Sequence, residues 1–69
     1  MRLRDIFAKN LWRARTAAGL SQDELAGRVG MDRGYVSKLE NAKYSVSIDM
    51  IENLATALDT PPHNLLKPD

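Results

Sequence analysis

Arg33, Gly34, Ser37 and Lys38 are the residues whose types and spacing suit chemistry on another molecule. Arg33 can present two parallel N–H donors to guanine O6 and N7, a contact that discriminates between bases by about 1–3 kcal/mol. Lys38 can donate to guanine or hold a phosphate. Ser37 is short and both donates and accepts, so it suits a base edge or a backbone oxygen. Gly34 has no side chain and would let a nucleic-acid groove come close, at a helix-propensity cost of up to about 1 kcal/mol relative to Ala. Upstream, Gln22 opens another helix, where free amides and the positive dipole end favour a phosphate. Tyr35, Asn41, Lys43 and Tyr44 would flank that groove and suit contacts to a sugar–phosphate backbone, which fix register without specifying sequence. No comparable set suits catalysis. His63 is the sole histidine, cysteine is absent, no Gly-rich phosphate loop occurs, and Asp23 and Glu24 are neighbours at a helix start. No enzyme activity, no metal or other cofactor and no small-molecule ligand is expected.

A reading face of this kind needs two short helices crossed and locked, and residues 22–41 can supply them. Ser21 and Glu24 fit a capping box ahead of a helix over about 22–29. Gly30 stops that helix, since it can take the positive φ a tight turn requires. Asp32 is the next N-cap, ahead of a helix over about 33–41. Leu25, Ala26, Val29, Met31, Val36 and Leu39 are spaced to share an apolar seam, with Ala26 small where the second helix crosses. Before this pair, Phe7, Leu11, Ala14 and Ala18 recur at spacings of four, three and four, the stripe of an amphipathic helix over about 3–18 that Gly19 ends. Arg2, Arg4, Lys9 and Arg13 lie mainly off that stripe and read as a solvated face, and Trp12 as a partly exposed packing residue. After a loop over 42–46, Ser47 caps a fourth helix carrying Ile48, Ile51, Leu54, Ala55 and Leu58. Thr60-Pro61 reads as a cap followed by proline at the first position of a short fifth helix, about 61–66, that exposes Leu65 and Leu66.

The expected fold is therefore all-α, one compact five-helix domain over 1–69 with a helix-turn-helix at 22–41. A chain of this size buries only roughly 60% of its unfolded surface, so it needs an efficient core or a partner. Ile48, Leu58, Pro62, Leu65 and Leu66 exceed what one small core needs, which marks helices 4 and 5, about 47–66, as a dimerisation end. The net charge of +1 hides an asymmetry. Residues 1–44 hold nine Lys/Arg against five Asp/Glu, net +4, and residues 45–69 hold one Lys against four acids, net −3. A basic front and an acidic back suit a protein that presents one face to a polyanion. No signal peptide is evident, and no apolar run approaches the roughly 18 residues of a membrane helix, so a cytoplasmic chain with no membrane partner is expected.

With these residues in view, the chain resembles the XRE-type helix-turn-helix regulators, the family of phage repressors and Cro proteins, over nearly its whole length. The resemblance runs through the Phe-x-x-x-Leu stripe of helix 1, LSQDELA, the KLEN end of helix 3 and IENLATAL of helix 4. More narrowly, Asp32-Arg33-Gly34-Tyr35-Val36-Ser37 is similar to the recognition segment of restriction–modification controller proteins, which commonly carry Thr where this chain has Gly34. The resemblance implies a lambda-repressor-like fold and a sequence-specific, double-stranded-DNA-binding transcriptional regulator. It further implies a homodimer on a palindromic operator, a role that admits autoregulation. It assigns base reading in the major groove to Arg33, Gly34, Ser37 and Lys38, and both phosphate contact and bracing of the recognition helix to Gln22. It also implies a largely buried ion pair between Arg15 and Glu40 that locks helix 1 to the end of helix 3. The same fold serves antitoxins and protein-interaction modules, and a pure interaction module would not need the Gln22, Arg33 and Lys38 set.

Overall fold

The structure, a computed structural model, describes residues 2–69. Four α-helices follow in order: α1 over Leu3–Ala17, α2 over Gln22–Val29, α3 over Arg33–Glu40 and α4 over Ile48–Ala57. A 3₁₀ helix over Pro62–Leu66 closes the chain, and the described residues contain no strand. The all-α expectation holds, with one correction to the helix count. The fifth element is a single 3₁₀ segment, and Pro62 rather than Pro61 takes its first position, Pro61 being the extended residue before it. Two prolines at its start remove N–H donors, and five residues are too few to sustain an α-helical ladder.

The core draws on every element. Phe7 and Leu11 of α1 meet Leu25 and Ala26 of α2, Val36 and Leu39 of α3, Ile51, Leu54 and Ala55 of α4, and Leu58 and Leu65 beyond it. Val29, Met31 and Tyr35 are half-buried against this cluster. Leu65, expected to be exposed, is 1% exposed: the 3₁₀ turn packs between α1 and α4 and inserts this side chain into the core. Asn10 of α1 fixes the turn, its amide donating to the carbonyls of Leu65 at 3.1 Å and Lys67 at 2.9 Å. The last residue, Asp69, is gripped by Lys9 at 2.7 Å and by the Arg13 guanidinium.

Helix α2 begins at a complete capping box: the Glu24 amide donates to Ser21 Oγ at 3.0 Å, and the Ser21 amide donates to the Glu24 carboxylate at 2.9 Å. Helix α4 has the Met50 amide on Ser47 Oγ, also at 3.0 Å. Asp32 stands at the N-cap position of α3 with extended backbone, but its side chain makes no capping bond. The chain turns out of the four helices through left-handed residues, Gly19, Gly30, Ala42 and Asp59. Beyond α3 the Ala42 amide donates to Leu39 O at 3.2 Å and the Lys43 amide to Lys38 O at 2.9 Å. That paired pattern satisfies orphan carbonyls and folds the next residues back beside the helix.

Candidate nucleic-acid interface

Helix α3 divides its residues by face. Val36 and Leu39 are wholly buried, and between them they fasten the helix to the core. Arg33, Gly34 and Lys38 are exposed and Ser37 is half-buried, so the four expected base readers are brought together on the outer side. The Arg33 guanidinium lies 3.8 Å from Asp23, with both side chains about two-thirds exposed. Such a pair is a loose tether that costs little to open. Gly34 has helical backbone, and a Cβ built there would meet nothing within 4 Å. The fold itself thus makes no steric demand for glycine at 34.

Lys38 and the two tyrosines form a second group. The Lys38 ammonium stands 5.4 Å from the centre of the Tyr44 ring. Tyr44 in turn meets the half-buried Tyr35 ring edge to face, with centroids 5.8 Å apart and planes at 82°. Lys43 is exposed in the same loop. Asn41 is exposed and folds back on its own helix: its side-chain amide donates to Ser37 O at 2.8 Å, a second bond to a carbonyl that the Asn41 backbone N–H also reaches.

Beneath the outer face lies the lock. Arg15 Nε and Nη2 donate to the two carboxylate oxygens of Glu40 at 2.6 and 3.0 Å, and Arg15 Nη1 donates to Leu20 O at 2.8 Å. The two side chains are only 11% and 5% exposed. The hydrogen bond to Glu40 raises the Arg15 pKa against the opposing effect of burial. Gln22 completes the group, its Nε2 donating to Glu40 Oε1 at 3.1 Å. Gln22 therefore braces α3 through its side chain from the first turn of α2.

The residues expected at a dimer interface separate. Leu58 and Leu65 are buried in the monomer core, which corrects their reading as free surface. Ile48 is 83% exposed, Pro62 is exposed and Leu66 is half-buried. Ile48 and Leu66, with Leu3, Phe7, Val46 and Ile51, line an apolar groove of about 450 Å³ between the starts of α1 and α4. Trp12, half exposed, borders a shallower depression with Glu40, Asn41 and Ala42. Sequence reasoning missed Asn10, the Asp69 grip and the Lys38–Tyr44–Tyr35 group. The first two join residues 55–60 apart, for which no local signal exists. The third was available in part, because Tyr35 and Lys38 are three apart on one helix.

Comparison with known proteins agrees with this geometry. A family model described as Helix-turn-helix matches residues 13–65, a span that holds α2, the turn and α3 entire. A hypothetical transcription factor of Neisseria meningitidis is 39% identical over 66 residues, covering 96% of this chain. The chain spans 62% of that protein's length. Among solved structures, the hypothetical transcription factor NHTF from Neisseria superposes with a TM-score of 0.93 at 39% identity, over 97% of this chain and 77% of that one. The restriction-modification controller protein C.AhdI from Aeromonas hydrophila superposes with a TM-score of 0.86 at 45% identity, over 90% of this chain and 94% of that one. With its crossed helix pair, part-buried Arg15–Glu40 lock and matched span, the chain belongs to the XRE-type helix-turn-helix family.

Proposed function

We propose that the protein is a transcriptional regulator that reads double-stranded DNA sequence with α3 in the major groove. The observation that carries this reading is the asymmetry of α3. Its inner face is fixed by Val36, Leu39 and the Glu40 lock, while its outer face presents Arg33, Gly34, Ser37 and Lys38, with Arg33 tethered only loosely to Asp23 and Lys38 resting on the Tyr44 ring. A rigid helix displaying unneeded donors suits base edges, and the open backbone at Gly34 suits close approach. Gln22, Lys43 and the amides opening α2 supply backbone contacts that set register. The relatives support the reading, one being described as a transcription factor and another as a restriction–modification controller. No reaction is proposed for the protein, and its place of work is the cytoplasm.

One such helix reads too few base pairs for specificity, so the working unit is a homodimer on an inverted repeat, with recognition helices about 34 Å apart. Ile48, Pro62 and Leu66 supply the apolar contact. Selection of duplexes from a random pool tests the reading: the enriched sequences should form an inverted repeat with half-site centres about 10 base pairs apart. A pool that enriches nothing would remove the proposal.

A further inference from the structure

We infer that Tyr44 is a positioning residue for Lys38: its ring, braced by Tyr35, presets the lysine ammonium on the reading face, so Tyr44 sets base preference at the position Lys38 reads. The inference rests on the DNA-reading proposal and adds to it a residue outside the helix-turn-helix. Three observations lead to it. Tyr35 and Lys38 stand at i and i+3 of α3, so their side chains leave the helix on neighbouring lines. The left-handed Ala42, with the Ala42 and Lys43 amides bonded back to Leu39 and Lys38, reverses the chain and returns Tyr44 to that side. The result is a chain of contacts from the core through half-buried Tyr35 to Tyr44 and on to the ammonium, at 5.8 Å between rings and 5.4 Å from ring to nitrogen.

The chemistry of the contact matters. A lysine beside a carboxylate has its charge neutralised and its donors occupied. A lysine over a ring face is held by the ring quadrupole, and its N–H groups remain able to meet an acceptor such as guanine O6 or N7. Arg33 stands nearer a carboxylate, but at 3.8 Å from Asp23 and well exposed its donors are not occupied either. A lysine stem is long and freely rotating, so a platform that limits its positions leaves less order to be imposed when DNA arrives. It also favours the base that suits the preset position over bases that would require another rotamer. Tyr44 thereby acts through Lys38, in contrast to a tyrosine whose hydroxyl simply donates to a phosphate.

The test is competition binding of the full chain between its selected duplex and single-base variants of that duplex. Lys38→Met should reduce discrimination at one base position per half-site. Tyr44→Leu should reduce it at that same position, by roughly 2- to 5-fold as expected for an exposed cation–ring contact. Tyr44→Phe, which keeps the ring and loses the hydroxyl, should keep the wild-type ratio between duplexes. In the Lys38→Met background, Tyr44→Leu should change that ratio no further. The inference is overturned if Tyr44→Leu weakens every duplex by one common factor, if it acts at a different base position, or if Lys38→Met itself lowers binding uniformly. Each of those results leaves a preferred wild-type duplex in place and so spares the DNA-reading proposal. A wild-type chain with no preferred duplex removes both.

Discussion

Glu40 is the side chain on which the rigidity of the motif converges, taking two bonds from Arg15 and one from Gln22. Removing one partner of a nearly buried ion pair strands the other, a loss of about 3–5 kcal/mol. Glu40→Ala should therefore destabilise the fold by about 3 kcal/mol, the lower end because Arg15 keeps its bond to Leu20 O. Denaturant unfolding would show it, and an unaltered midpoint would refute the lock. Asp69 illustrates the opposite, exposed case. The Arg13 guanidinium, then the Lys9 ammonium, hold its carboxyl at a pKa of about 2 against an ordinary 3.8. A depressed acid stabilises what holds it above the ordinary value, and that contribution is lost as pH falls toward 2. Carboxyl NMR should find the Asp69 midpoint well below that of a free aspartate, and a midpoint near the ordinary value would mean that the grip is absent in solution. The two pairings differ in how far the sequence exposes them. Arg15 and Glu40 occupy positions a family resemblance carries over, whereas the Asp69 and Asn10 contacts depend on where the 3₁₀ turn docks.

At the scale of elements, helix starts were more legible than helix ends. Ser21 and Ser47 announce α2 and α4, and both serines accept the expected amide. Asp32 has the same promise in the sequence, yet its carboxylate makes no bond to the amides of α3. This contrast gives a paired prediction. Ser21→Ala should cost about 1 kcal/mol, while Asp32→Ala should stay within about 0.5 kcal/mol. Equal losses in thermal unfolding would mean that Asp32 caps after all. The ends of α1 and α2 were marked by Gly19 and Gly30, whose positive φ glycine takes without strain. The ends of α3 and α4 use Ala42 and Asp59 in the same conformation, which an aspartate signals only weakly and an alanine not at all. That is why the route of the 42–46 loop, and with it the meeting of Tyr44 with Lys38, was hidden until the backbone was seen. The fifth helix was misjudged for a related reason: a proline signal marks a start, but it cannot distinguish an α-helix from one 3₁₀ turn.

For the whole molecule, the apolar surplus read from the sequence was partly core. Leu58 and Leu65 close the monomer, while Ile48 and Pro62 stay exposed and Leu66 half-buried, the residues the proposed dimer would use. An isoleucine as exposed as Ile48 can be replaced without disturbing the fold, so it isolates assembly from stability. Ile48→Asp should weaken dimerisation at least about tenfold, as losing the burial of one aliphatic side chain implies, with no fall in the monomer's melting temperature. Sedimentation at micromolar concentration would show this, and an unchanged dimer would place the interface elsewhere. In the proposed reading, α3 faces DNA and Ile48, Pro62 and Leu66 face the second copy. The measurement that bears most directly on this account compares wild-type and Arg33→Ala binding across single-base variants of the selected duplex. Arg33→Ala should erase preference at one base position in each half-site, about 1–3 kcal/mol there, while preference elsewhere persists. Equal weakening for every duplex would assign Arg33 to phosphates and contradict the claim that α3 reads bases through it.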